Sequence, residues 1–126
     1  MISKLGQVML YVNDQDSAVA FWTEHMGFIV KAESSPGDMR WIEIAPSNGE
    51  GTSIVLQDKK FIQQMEPELN VETPSLMFFT EALDDLYSGM TEKGITVGEI
   101  VEMGGDRIFN FADHEENYFA VMEKRN

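Results

Sequence analysis

The chain has 126 residues, 43% of them hydrophobic, with 22 acidic against nine basic side chains and a formal net charge of −13. That length suits one soluble domain over residues 1–126 with a core of its own, and the charge repels phosphate backbones and anionic bilayers, so neither nucleic acid nor membrane is an expected partner. The absence of cysteine removes disulfides, thiolate metal sites and cysteine nucleophiles together, and with no secretory apolar region or span of about 18 apolar residues the expected location is cytoplasmic.

Val8, Leu10 and Val12 alternate with Gln7, Met9 and Tyr11, the period-two pattern of a strand whose two faces differ. Asn13 and Asp14 stop it, and Asp14 or Asp16 can cap a helix. Ala18, Phe21, Trp22 and His25 then fall on one helical stripe, which Gly27 can end in a left-handed conformation. Phe28 to Glu33, Met39 to Ala45 and Thr52 to Gln57 read as three strands, separated by the turns Ser34-Ser35-Pro36-Gly37 and Pro46-Ser47-Asn48-Gly49. Residues 58–74 contain Pro67 and Pro74 and weak helical character around Phe61 to Met65, and are expected to link two modules.

After that link the order repeats. Ser75 to Phe79 reads as a strand, Leu83, Leu86, Tyr87 and Met90 as a helical stripe, and Gly94 as its stop. Thr96 to Val101, Arg107 to Phe111 and Tyr118 to Met122 are the expected strands, with Gly104-Gly105-Asp106 and His114 to Asn117 as turns. The copies align residue by residue. At a spacing of 68, Met9 meets Met77, Tyr11 meets Phe79, Trp22 meets Met90, and Thr23-Glu24 meets Thr91-Glu92; at 67, Arg40, Ile42, Ile44 and Ala45 meet Arg107, Phe109, Phe111 and Ala112. Such a period is too long for a solenoid and too short for two independent domains, so the modules, about 1–57 and 75–126, are expected to share one core.

This tandem βαβββ pattern, with YVNDQDSAVAFWTEHMGF in the first copy, RWIEIAP after it and DHEENYFAVME in the last, resembles the vicinal oxygen chelate superfamily. That group includes glyoxalase I, extradiol dioxygenases, methylmalonyl-CoA epimerases, fosfomycin resistance enzymes and bleomycin-binding proteins. Asp113-His114-Glu115-Glu116-Asn117 stands where the family often has Asp-Pro-Asp-Gly-Asn, so Pro and Gly are missing from that turn. The resemblance implies an α+β fold in which tandem βαβββ modules form a curved mixed sheet with a concave cup and helices on the convex side.

Alternation assigns two faces. Val8, Leu10, Val12, Ile54, Leu56, Leu76, Phe78, Phe119 and Val121 suit the face that packs on helices. The other face presents Gln7, Met9, Tyr11, Trp41, Glu43, Ser53, Val55, Gln57, Ser75, Met77, Phe79, Ile108, Asn110, Tyr118, Ala120 and Met122. Aromatics and methionines with a few polar groups are what a small-molecule pocket requires, although the same side chains could merely fill space between sheets.

Metal-dependent members of the family take four ligands from the first and last strands of the two halves. Carried over by motif, those positions are Gln7, Val55, Ser75 and Ala120, a poor donor set in which two residues have no polar side-chain atom. His25 reads as a helix-end residue and His114 as a surface turn residue. No metal and no cofactor is therefore expected. Glu43 is the tentative catalytic residue, on the expectation that an apolar cup raises its pKa toward useful acid or base values.

Two functions remain open. The favoured one is a metal-independent protein that binds or sequesters an aromatic or cationic small molecule. The alternative is a glyoxalase-like lyase or isomerase, or a dioxygenase-type enzyme. The resemblance also implies a homodimer, with the cup formed within one chain or by exchange between chains.

Overall fold

The computed structural model describes residues 1–124, which divide after Pro74 into two compact units, Met1–Pro74 and a second that begins at Ser75. In the first unit the order is β1 (Gln7–Val12), α1 (Gln15–Ala20), β2 (Ile29–Ser34), β3 (Trp41–Ala45), β4 (Ser53–Asp58) and α2 (Lys59–Met65). Its sheet runs β1-β4-β3-β2, with β1 and β4 parallel and the other pairs antiparallel. The second unit has β5 (Met77–Thr80), α3 (Leu83–Glu92), β6 (Val101–Met103), β7 (Asp106–Ala112) and β8 (Tyr118–Glu123). Its sheet, β5-β8-β7-β6, repeats the same topology, again with one parallel pair, β5 with β8. The fold is α+β with two open four-stranded mixed sheets. Residues 58–74 belong to the first unit, and their weak helical signal becomes α2, which packs on β4 and is capped by Asp58 accepting from the Phe61 amide at 3.2 Å.

Each sheet buries the face that alternation selects. Leu10, Val12, Ile42, Ile44 and Leu56 are fully buried with Trp22, whose ring packs at a tilt of 53° against Phe28, centroids 5.0 Å apart. In the second unit Phe109, Phe111, Phe119 and Val121 are buried with Leu83 and Met90 of α3, and Tyr87 meets Phe109 edge to face at 5.0 Å. Burying such side chains supplies roughly 1.5–3 kcal/mol each before ordering costs.

Local chemistry sets the helix ends. Asp14 caps α1 by accepting from the Ser17 amide at 3.0 Å. The helix continues into a π-helical turn, Phe21–His25, closed by the Phe28 amide donating to the Trp22 carbonyl at 2.9 Å. Gly27 and Gly94 end the two helices with φ of +74° and +77°, a region that costs other residues about 1–2 kcal/mol. His25 lies at the end of that turn, edge to face with Phe21, and His114 is exposed.

Side chains tie each helix to its sheet. Gln15, 9% exposed, donates from Nε2 to the Arg40 carbonyl at 2.7 Å and the Leu56 carbonyl at 3.1 Å. The repeat partners Arg40 and Arg107 do equivalent work: Arg40 pairs with Asp16 of α1 and Glu33 of β2, each at 2.9 Å, and Arg107 with Asp84 of α3 at 2.8 Å and Glu123 of β8 at 2.7 Å.

Three expectations shift. The strand placed at Thr96 to Val101 is split: Val97 makes a lone bridge to Phe111, and regular pairing starts only at Val101 with Ile108. The register moves by one residue between Gly98, whose amide still reaches the Asn110 carbonyl at 2.8 Å, and Val101. Ser75 lies ahead of β5, which begins at Met77. In the turn after β7, Asp113 is buried and accepts from the Glu115 and Asn117 amides at 2.9 Å each. Glu116 takes a φ of +63° there, so a glutamate occupies the left-handed position that glycine fills in the family pattern.

Candidate binding site

Cross-strand register decides which side chains meet on the face away from the helices. In the first unit, Gln7 lies opposite Ser53, Met9 opposite Val55, and Glu43 opposite Val55 from the other side. One step along, Tyr11, Gln57 and Trp41 form a second row across β1, β4 and β3. The sequence-selected residues of this half are therefore brought together on one sheet face.

Glu43 is held by its neighbours. The Ser53 hydroxyl donates to its Oε2 at 2.5 Å and Gln7 Nε2 donates to the same oxygen at 3.3 Å. These bonds favour the carboxylate form. The Ser53 bond chiefly, then the Gln7 bond and the positive charge of Lys31, hold the Glu43 carboxyl below its ordinary range, overcoming the opposing effect of partial burial. This corrects the expectation of a raised pKa: the polar pair on β1 and β4 outweighs desolvation, and Glu43 is an ionised anchor at neutral pH rather than a proton donor. Its other oxygen, Oε1, accepts no hydrogen bond among the described residues.

Around Glu43 lies an open cavity of about 640 Å³, lined by Lys4, Gly6, Gln7, Met9, Lys31 and the loop 48–51. Sequence alternation missed the two lysines. Lys31 sits where β2 slips register between Val30 and Ala32, so counting alternate residues cannot assign its face. Lys4 precedes β1 and carries no pattern. Ser53 was legible as a face residue, but its bond to Glu43 depends on register between strands.

Gln57 has a different environment. It is 9% exposed, its Nε2 makes only a 3.6 Å contact with Met9 Sδ, and its buried Oε1 has no hydrogen-bond partner among the described residues. Tyr11 and Trp41, on either side of it, are half-buried.

The second unit's outward face is apolar. Val101, Ile108, Met122 and Phe79 form one row across all four strands, and Asn110, Ala120 and Met77 the next. Phe79 is 66% exposed, Tyr118 61% and Met77 44%. Phe79 and Met122 also line a smaller cleft of about 320 Å³ with Asp106, Glu123 and Lys124. Tyr118, at the start of β8, pairs with Ala112.

The metal positions do not fit a metal. Val55 and Ala120 lie on β4 and β8 with aliphatic side chains, Ser75 precedes β5, and Gln7 is engaged with Glu43. Amide and hydroxyl oxygens are weak ligands for transition metals, and two of the four positions offer no donor atom. Among the described residues, no group of three or more His, Cys, Asp or Glu is placed to hold an ion.

Known proteins resemble this chain in sequence and in fold. The "Uncharacterized protein YetH" of Bacillus subtilis (strain 168) is 32% identical over 125 residues, covering 98% of this chain and all of that protein. The crystal structure of TnmS3, described as an antibiotic binding protein from Streptomyces sp. CB03234, superposes with a TM-score of 0.80 at 26% identity, covering 98% of each chain. A superfamily member from Sphaerobacter thermophilus DSM 20745 superposes with a TM-score of 0.82 at 22% identity over 98% of each chain, a likeness of fold. The family model for the Glyoxalase/Bleomycin resistance protein/Dioxygenase superfamily matches residues 4–121. The chain belongs to that superfamily.

Proposed function

We propose that this protein binds an aromatic or cationic small molecule on its outward sheet faces, without a metal ion. The observation that carries the reading is the second unit's exposed apolar surface, in which Met77, Phe79 and Tyr118 stand well exposed beside Met122 and Ile108. Exposed apolar patches on small domains mark interaction sites, and aromatic and methionine side chains suit adaptable ligand contact. The likeness to TnmS3, whose description is an antibiotic binding protein, supports the same class. The ionised Glu43 has no proton to give as a general acid and its lowered pKa makes it a weak general base, and two of the four positions that the family resemblance assigns to metal ligands have no donor atom. A homodimer and a cytoplasmic location are part of the proposal, to be tested by sedimentation and by fractionation of the host cell. Among the described residues, no helix is long and apolar enough to cross a membrane.

Methyl-labelled methionine tests the binding reading. Titration with 9-aminoacridine, a planar aromatic cation, is expected to shift the methyl signals of Met9, Met77 or Met122 and to leave Met90 of the helix-packed core in place. A titration that moves none of the three refutes it.

A further inference from the structure

We propose that the cavity beside Glu43 is a recognition site for a small zwitterion, with its ammonium group on Glu43 and its acidic group between Lys4 and Lys31. This deepens the binding reading and rests on it. The cavity differs from the rest of the molecule in its charge. The chain is strongly acidic, with 22 acidic and nine basic residues, yet the lining of this cavity holds two lysines as well as two glutamates, Glu43 and Glu50. A purely cationic ligand would face Lys4 and Lys31, and a purely anionic one would face Glu43. A molecule carrying both signs satisfies all of them.

The geometry of Glu43 makes it the donor-reading end. Ser53 and Gln7 both bond to Oε2, which fixes the carboxylate from the β1 and β4 side and leaves Oε1 without a hydrogen bond among the described residues, on a side chain that lines the cavity. A carboxylate fixed in this way loses little freedom when it takes a ligand N–H, and a bond between ammonium and carboxylate is about twice as strong as a neutral one. The Lys4 and Lys31 side chains have no ion pair within 4 Å and no hydrogen bond among the described residues; Lys31 acts on Glu43 through its charge alone, so both ammonium groups keep their N–H donors for an anionic group. Met9 supplies an apolar wall, and the loop Asn48-Gly49-Glu50-Gly51 borders the cavity with small residues. At about 640 Å³, the cavity is in the size range of small-molecule sites and admits an amino acid with its side chain.

The second unit lacks this chemistry. The repeat counterparts of Gln7, Glu43 and Trp41 are Ser75, Asn110 and Ile108, so no carboxylate stands at the equivalent position. The charge-reading function belongs to the first copy alone.

Three probes with one body and different charges test the proposal: phenylalanine, its amide and its N-acetyl derivative, titrated into amide-labelled protein. Phenylalanine is expected to shift the Gly6, Gly49 and Gly51 signals, and each blocked probe to bind roughly tenfold more weakly, the loss of one charge-assisted contact. E43Q should weaken phenylalanine and the amide, and the K4A/K31A double variant phenylalanine and the N-acetyl derivative. Equal binding of a blocked probe, or no shift at the three glycines, overturns the proposal. If phenylalanine spares the glycines while 9-aminoacridine still moves Met77 or Met122, the zwitterion site falls and the broader reading stands. If neither probe moves any outward-face signal, both fall.

Discussion

Gln57 and Gln15 are equally buried glutamines, each 9% exposed, and replacing each with methionine should move stability in opposite directions. Methionine preserves length and flexibility while removing the amide. At Gln57 the substitution deletes a buried carbonyl oxygen without a partner among the described residues, which costs the folded state about 1–3 kcal/mol, and gives up only a long contact to Met9 Sδ. The net expectation is a gain of about 1 kcal/mol. At Gln15 the same change deletes two bonds, to the Arg40 and Leu56 carbonyls, with a loss of about 2 kcal/mol. For 126 residues the melting entropy is about 0.26 kcal/mol/K, so Q57M should melt about 4 °C higher and Q15M about 8 °C lower. Calorimetric or fluorescence melts read both values. A Q57M variant that melts below the wild type refutes the reasoning, because it would mean that the Gln57 amide is satisfied in the free protein.

Glu43, whose ordinary pKa is near 4.5, is lowered in the fold, so its bonds to Ser53 and Gln7 stabilise fully above that value and are lost as the pH falls through the lowered one. The stability gap between wild type and S53A, from urea melts, should be constant above about pH 5 and narrow on acidification; a gap that widens contradicts the assignment. Arg107 and Arg40 are repeat partners with unequal surroundings, since Glu123 is 23% exposed and Glu33 45%. R107M should therefore lower the melting temperature more than R40M, with the smaller R40M effect the more sensitive to salt.

Much of the fold was legible because the apolar alternation is strong where a strand is covered on one side. Leu10, Val12 and Leu56 announce the helix-packed face, and all three are fully buried. The glycines after the helices were equally plain, because positive φ narrows the choice of residue. What escaped depends on events between strands. The slip in β2 at Lys31 and the shift between Gly98 and Val101 that divides the expected strand are changes in register, invisible to a period of two. Glu43 shows the same limit at the level of chemistry. Its place on an outward face was readable, but its charge state follows from Ser53, a neighbour ten positions later that only the β3 and β4 pairing brings near.

The π-helical turn at Phe21–His25 explains why the two copies of the sequence fall out of step. Up to Glu24 and Glu92 they match at a spacing of 68, and from Gly27 and Gly94 onward at 67. The closing bonds record the difference: Phe28 reaches back six residues to Trp22, whereas Ile95 reaches back five to Met90. One surplus residue in the first copy has been absorbed by widening a helical turn, leaving the strands on either side in phase. Deleting Thr23 or Glu24 should therefore restore a regular helix and leave every strand pairing intact. The same deletion within β3 would turn each later side chain of that strand to the opposite face. The helix is thus the place where this architecture tolerates a change in chain length, and the strands are where it does not.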